Sequence, residues 1–571
     1  MSIAFQEAGS PETGASPARE PTPAVSTEPP RELPALARRV LIIGLDGATF
    51  DVLNPLVAAG RMPHLKHLIE TGTSGILDST KPPITPAAWT TFMTGKGPGR
   101  HGIVDFEKYD IASNRLTFNS TFEIREKTIW DILSEKRFRV GSISLPMTYP
   151  PKRVNGFIIS GFETPNTDAD FTYPKDLKRE ILRRWPDYSY RSDWQRRALG
   201  GNAVFDRNMR YIERSFVQGC ELTEYCGDRY GWDVLMVLFK LVDNLQHKAW
   251  RYLDPKTRGQ HPYRTERCEQ CFVALDAALK RLSAYAERFG ATTIIMSDHG
   301  HGSLEGKAQP NLLLHNWGYL SLRSGVTRAR TRGAYLLERL MGKKNGRFVE
   351  NGIERELAVD WSQTQACVMH AGIYGFLYLN LAGRQPTGIV PPDRYDALRD
   401  EIRDRLLAAR VRNADGEEIP IFPEVHRTEE LYNCRRDDQP WLPDLLLVPQ
   451  AGFAVVRKIR GRQPVRWCSD RRMEGTHRVE GVLVANGPHV RSGHELRANI
   501  ADITPTLLAA LGLRVPIDME GQILSEMFDT PPSIEFEPPQ AADRSQLGRE
   551  VYTEEDKKVL TERLSDLGYL D

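Results

Sequence analysis

Six side chains carry chemistry that a metal ion or a reacting phosphate could use: Asp46, Asp243, His247, Asp298, His299 and His477. Asp46 ends the apolar run from Val40 to Leu45. Asp243 and His247 stand one helical turn apart, shortly after the apolar stretch from Val234 to Phe239. Asp298 and His299 follow the run from Thr293 to Met296, and His477 precedes the run from Gly481 to Ala485. Taken singly, an aspartate after a strand is an ordinary turn or cap residue, and an Asp-x-x-x-His step fits any helix. Together they supply three carboxylates and three imidazoles without cysteine. That donor set suits divalent ions of borderline hardness, Zn2+ first and Mn2+ second. Six ligands suffice for two divalent metal ions at three apiece, and two ions about 3.5–4 Å apart form a clamp for in-line displacement at phosphorus.

A nucleophile is offered by the stretch Lys81-Pro-Pro-Ile-Thr85-Pro86-Ala-Ala-Trp89. Pro86 suits the first position of a helix, which makes Thr85 the expected N-cap. Its hydroxyl then sits at the positive end of the helix, where backbone N–H groups can also hold phosphate oxygens. A metal on that oxygen would favour the alkoxide. Thr90, Thr91 and Thr94 fall a turn or more inside the helix and are poorer candidates.

Elements that could carry these residues to one place are legible as alternation. Short, continuously apolar runs at Val40–Leu45, Gly141–Leu145, Val234–Phe239, Thr293–Met296, Asp444–Val448 and Gly481–Ala485 read as buried strands. Helical patterns at Pro63–Thr71 and Arg264–Arg288 lie between them. The expected fold is α/β, a mostly parallel central sheet flanked by helices, with chemistry collected at the carboxyl ends of the strands. Residues 39–304 and 441–525 read as two parts of one catalytic core. Residues 305–440, with basic segments at Thr327–Arg332 and Lys343-Lys344, read as an inserted cap that recognises substrate. A closing helix is expected over Ala501–Leu513, and residues 526–571 form a C-terminal tail with a short helix from Glu554. The Pro-rich residues 1–38 cannot bury enough surface to offset their ordering entropy and read as a disordered tail.

Composition narrows the classes further. The 571 residues carry 76 Lys+Arg against 75 Asp+Glu, a net charge of +1, so electrostatics give no case for nucleic acid as partner. No apolar run approaches a membrane span, and the N-terminus lacks a secretory pattern; a cytoplasmic enzyme is expected. Seven cysteines are too few and odd in number for a disulfide framework. Cys268 and Cys271 fall inside a helical pattern and read as buried and inert. His301, two residues past His299, could reach the site, but a loop histidine is more often solvated. Nothing in the sequence speaks to oligomeric state.

The order Asp46, Thr85, Asp243/His247, Asp298/His299, His477 resembles the alkaline phosphatase superfamily, and within it the type I phosphodiesterase/nucleotide pyrophosphatase enzymes. The stretch from Thr85 to Ile103, with Thr94-Gly95 nine residues after the nucleophile, is similar to that family's segment, as are Ser297-Asp-His-Gly300 and Asp502-Ile-Thr-Pro-Thr-Leu507. The resemblance implies that Asp46, Thr85, Asp298 and His299 surround one metal while Asp243, His247 and His477 hold the other. It implies attack by Thr85 and a phospho-threonine intermediate, which the second metal helps to release. His101 matches a family residue that is not a ligand and is expected to be structural. One position departs from the family: Ala88 stands where its phosphodiesterases usually carry an asparagine that holds a phosphoryl oxygen. Backbone N–H groups near Pro86–Ala88, or Lys81, Lys96 or Arg100, would take over that task. The expected function is hydrolysis of a small-molecule phosphate ester, mono- or diester. A phosphomutase or phosphotransferase of the same fold is the alternative, followed by a non-catalytic metal-binding scaffold.

Overall fold

The computed structural model describes residues 29–111, 115–190, 201–323, 359–370, 372–436, 439–468 and 474–567. Nine strands form the central sheet: β1 (Val40–Leu45), β2 (Thr73–Asp78), β3 (Val140–Leu145), β4 (Gly156–Ser160), β5 (Thr172–Tyr173), β6 (Val234–Phe239), β7 (Thr292–Met296), β8 (Glu480–Asn486) and β9 (His494–Asn499). Their spatial order is β9-β2-β8-β7-β1-β6-β3-β4-β5. Only β8 and the edge strand β5 run against the others. The run at Gly481–Ala485 is therefore a strand, but an antiparallel one wedged between β2 and β7.

Six helices matter for the site: α1 (Thr85–Thr94), α2 (Asn202–Tyr230), α3 (Leu241–Leu253), α4 (Pro262–Glu287), α5 (Ile503–Ala510) and α6 (Glu554–Leu567). The apolar runs are continuous because helices cover both faces of the sheet. Leu41, Ile43 and Leu45 of β1 join a core with Phe216, Leu275 and Leu279 from α2 and α4. The alternate residues Val40 and Ile42 join the opposite core with Trp89 and Phe92 from α1 and Leu508 from α5. Gly44 allows α1 to lie this close: a Cβ there would stand 2.6 Å from Leu238 Cδ1 and 3.0 Å from the Trp89 ring. The helix that starts at Thr85 is thus seated on the strand that Asp46 follows.

A second, four-stranded sheet of Ala366–His370, Gly375–Leu379, Leu445–Val448 and Glu424–Arg427 is packed in a core of its own. Leu445–Val448 was expected in the central sheet; it pairs instead with Gly375–Leu379 and Glu424–Arg427. Four consecutive apolar residues declare a buried strand, but periodicity cannot say which sheet buries it. Residues 29–38, expected in the disordered tail, include segments held against the end of α5. Glu32 and Leu33 donate backbone hydrogen bonds to Gly512 O, and Leu36 and Ala37 to Ala510 O. These contacts satisfy carbonyls that the end of α5 cannot bond internally. Residues 1–28 and the basic segments at 327–332 and 343–344 lie outside the described residues. Among the described residues, no helix is long and apolar enough to cross a membrane.

Candidate metal centre

Three adjacent parallel strands, β7-β1-β6, end level with one another, Gly44 pairing with both Met296 and Leu238. Their carboxyl ends deliver Asp298 and His299, Asp46, and the start of α3 with Asp243 and His247. A two-stranded ladder closes the side, Gly300–Ser303 against Gly475–Arg478, with His301 directly opposite His477. Thr85 enters from α1. It is the first residue of that helix, with Ile84 as N-cap, so Pro86 occupies the second position rather than the first. The one-residue shift leaves the Thr85 hydroxyl at the positive end of the helix. All of these side chains are buried.

Thr85 Oγ1 lies 3.4 Å from His299 Nε2, which is 3.3 Å from Asp298 Oδ2 and 3.8 Å from Asp46 Oδ1. On the other side, Asp243 Oδ1 is 3.3 Å from His247 Nε2 and 3.5 Å from His477 Nε2. Asp243 belongs to both groups: with Asp46 and His299, and with His247, His301 and His477, its carboxylate forms clusters compact enough to hold an ion. Nδ1 of His247 bonds Gly475 O at 3.0 Å and Nδ1 of His477 bonds Pro83 O at 2.8 Å. A carbonyl only accepts, so each Nδ1 donates and each Nε2 is turned inward, toward the Asp243 carboxylate. Those two Nε2 atoms are 2.9 Å apart. Two imidazole nitrogens so placed, facing a buried carboxylate, form a group that could hold a metal ion. Asp46 Oδ2 and Asp298 Oδ2 are likewise buried with no hydrogen-bond partner among the described residues, so the donor set fits divalent metal on both sides.

Crowding of charge shows in the acidities. Burial, with Asp298 nearby, pushes the Asp46 carboxyl well above its usual range. Burial likewise lifts Asp298 to about 7, against the Gly47 N–H bond to its Oδ1 at 3.0 Å. Asp243 is also buried, but Lys240 and His247 outweigh that and hold it well below the carboxylate range. Burial lowers His299, and lowers His301 and His477 further, keeping these imidazoles neutral and ready to ligate.

Two residues of the centre were not expected from sequence. Lys240, on the link from β6 to α3, places Nζ 2.6 Å from Asp243 Oδ2 and 3.4 Å from Asp46 Oδ1; nothing in its local pattern marks it. His301, expected in solvent, is fully buried against the ligand cluster, because the ladder folds its loop over the sheet edge. The three cations expected to hold phosphate are engaged elsewhere. Lys81 pairs with Glu424 of the inserted region at 2.6 Å, Lys96 with Glu126 at 2.7 Å and with Asp518, and Arg100 with Asp518 at 3.3 Å. His101 accepts from Ile103 N at Nδ1 and bonds Thr91 Oγ1 through Nε2, tying the turn after α1 to the helix. Cys268 and Cys271 are buried and unbridged inside α4, their thiols pushed up by burial.

The sequence profile of the type I phosphodiesterase / nucleotide pyrophosphatase family matches residues 40–480. The chain belongs to that family. This phosphodiesterase-family chain is also similar in structure to phosphonoacetate hydrolase from Sinorhizobium meliloti 1021 in complex with phosphonoformate. That match has a TM-score of 0.51 and 16% identity, over 83% of this chain and 94% of the other. At that identity the likeness shows a shared alkaline phosphatase-like fold. Human ectonucleotide pyrophosphatase/phosphodiesterase 5 gives a TM-score of 0.48 at 12% identity, over 89% and 98% of the two chains. No curated protein matches the sequence. Family membership and the buried Asp/His cluster together make the chain a metal-dependent phosphoester hydrolase.

Proposed function

We propose that the protein hydrolyses small-molecule phosphate esters by attack of Thr85 Oγ1 on phosphorus, through a phospho-threonine intermediate. The observation that supports this most is the inward-facing set of imidazole Nε2 and carboxylate oxygens, with the Thr85 hydroxyl 3.4 Å from His299 Nε2 at its rim. Asp46, Asp298 and His299, with Thr85, would hold one ion, and Asp243, His247 and His477 the other. Two divalent ions, zinc before manganese, would supply Lewis-acid stabilisation of the attacking and leaving oxygens.

Every remaining step belongs to the chain. The rigid start of α1 holds Thr85 Oγ1 in place, fixed by Trp89 against Gly44. Thr85 Oγ1 bonds phosphorus as the ester P–O bond breaks, and the departing alcohol takes up a proton. Water then cleaves the phospho-threonine, returning the hydroxyl to Thr85 and releasing phosphate or a monoester. Ala88 offers no side-chain amide for the phosphoryl oxygens, and the cation within the centre, Lys240, is held by Asp243 and Asp46. A cavity of about 160 Å³ lies beside Lys240, lined also by Phe162, Tyr188, Tyr190, Tyr211 and Arg563. It would take the non-transferred group of a small ester rather than a polymer. Seven unbridged cysteines accord with a reducing, cytoplasmic setting.

The test is an acid quench of zinc-loaded enzyme turning over p-nitrophenyl phosphate or its bis-ester, followed by peptide mass analysis. A phosphoryl or phosphoryl-ester adduct on Thr85 is expected, with oxygen from labelled water in the released phosphate. An adduct without solvent label in the product would assign the phosphotransferase alternative. Turnover with no adduct would refute the intermediate.

A further inference from the structure

We propose that His301 Nε2 is a fourth protein ligand of the ion held by Asp243, His247 and His477, so that this site is a shell of three imidazoles and one carboxylate. The proposal rests on the reading of the cluster as a metal centre and adds a residue to it.

Geometry points there in three independent ways. His301 is fully buried, yet its Nε2 has no hydrogen-bond partner among the described residues. Leaving a polar atom so placed is costly unless something binds it. Its Nδ1 bonds Gly47 O at 3.2 Å, the same arrangement that turns Nε2 of His247 and His477 inward. A backbone carbonyl behind each imidazole fixes its tautomer and its direction, as metal-bound histidines require. Finally, the distances from Asp243 Oδ1 to the Nε2 atoms of His247, His477 and His301 are 3.3, 3.5 and 3.6 Å. Ligands about 2.0–2.1 Å from a tetrahedral ion stand roughly 3.3–3.4 Å from each other. The three separations from Asp243 are close to the edges of one tetrahedron and the third is no outlier, while the His247–His477 edge, 2.9 Å, is shorter.

The local fold delivers this residue by design of the ladder. His301 pairs directly with His477 across the two strands, placing both on one face, and the Trp250 ring stacks over His301 at 6.2 Å. A histidine serving only as core filler would turn Nε2 toward an oxygen it could bond. The consequence is asymmetry. With four protein donors this ion would meet a reacting oxygen only by expanding to five-coordinate, whereas the Asp46 side keeps a position for a substrate oxygen beside Thr85.

Cobalt(II) substitution tests this without activity. Wild-type protein is expected to take up cobalt with the intense visible bands of four-coordinate N/O ligation. His301→Ala should weaken those bands and lower the affinity of one site by about 10–100-fold. Added imidazole, filling the vacated space, should restore the spectrum. His301→Phe keeps the ring volume beside Trp250 and should show the same loss without rescue, which separates ligation from packing. Unchanged spectrum and affinity in both variants, with His477→Ala altered, would overturn the proposal and leave the metal centre standing. Failure of the wild type to bind cobalt, zinc or manganese would overturn both.

Discussion

Gly47→Ala perturbs the centre without replacing any of its Asp, His or Thr side chains. Gly47 follows Asp46 in the left-handed region, at φ +68. Its N–H donates to Asp298 Oδ1, and its carbonyl accepts from His301 Nδ1 and, at 2.6 Å, from Gln246 Nε2. A Cβ there would stand 2.8 Å from His301 Nδ1 and 3.0 Å from Asp243 Oδ1. The backbone alone costs about 1 kcal/mol. Relieving the contacts by shifting two packed side chains costs roughly 1–3 kcal/mol more. Chelator-treated Gly47→Ala should therefore unfold in urea with about 2–4 kcal/mol less stability than the wild type. Because His301 and Asp243 must move, calorimetric zinc affinity should also fall by at least about tenfold. Wild-type stability together with wild-type zinc affinity would refute the reasoning, since it would mean that the turn at Gly47 does not hold the ligands where they stand.

Three further expectations follow from charge and burial. Lys240→Met leaves Asp243 and Asp46 without their buried counter-charge, so the metal-free protein should lose about 3–5 kcal/mol. Zinc should then raise its melting temperature more than that of the wild type; an equal or smaller rise would show that Lys240 does not compete with metal for these carboxylates. Burial lowers His101 to about 3; the unfolded chain therefore binds a proton that the folded one refuses, and stability present above about pH 6.5 is lost as pH falls. His101→Gln should reduce the acid slope of stability by up to about 1.4 kcal/mol per pH unit, measured by urea unfolding between pH 4.5 and 7. Burial raises Glu163 to about 7, which has the opposite sign: its contribution is present below about pH 4.5 and lost as pH rises through 7. Glu163→Gln should gain up to ~3 kcal/mol relative to wild type between pH 5 and pH 8, and a pH-independent difference would contradict the assignment.

Sequence legibility followed the range of the interactions. Asp46, Asp298 and His299 announce themselves because each follows a continuous apolar run, and a strand buried on both faces has no other place to put charge than its end. Asp243 and His247 are one helical turn apart and read locally too. The sharing of Asp243 between two ligand groups depends on β7-β1-β6 being neighbours, which no local pattern encodes. His301 is the clearest case: its burial arises from pairing with His477, far along the chain, and a single loop histidine carries no trace of that. Lys96 and Arg100 look like phosphate ligands from their position after α1, but Asp518 and Glu126, distant in sequence, engage their charges. The placement of Leu445–Val448 in the inserted sheet and the shift of Thr85 from N-cap to first helical residue belong to the same class of long-range or boundary detail.

The central claim is that Thr85 performs the chemistry at a centre assembled by the Asp and His ligands. Its most direct test is the rate of bis-p-nitrophenyl phosphate and p-nitrophenyl phosphate hydrolysis by wild type and Thr85→Ala, each with measured and matched zinc content. The expected result is metal-dependent turnover that falls by about 10³-fold or more in Thr85→Ala while both ions remain bound. Thr85→Ala hydrolysing either ester at the wild-type rate with the same metal content would contradict the account.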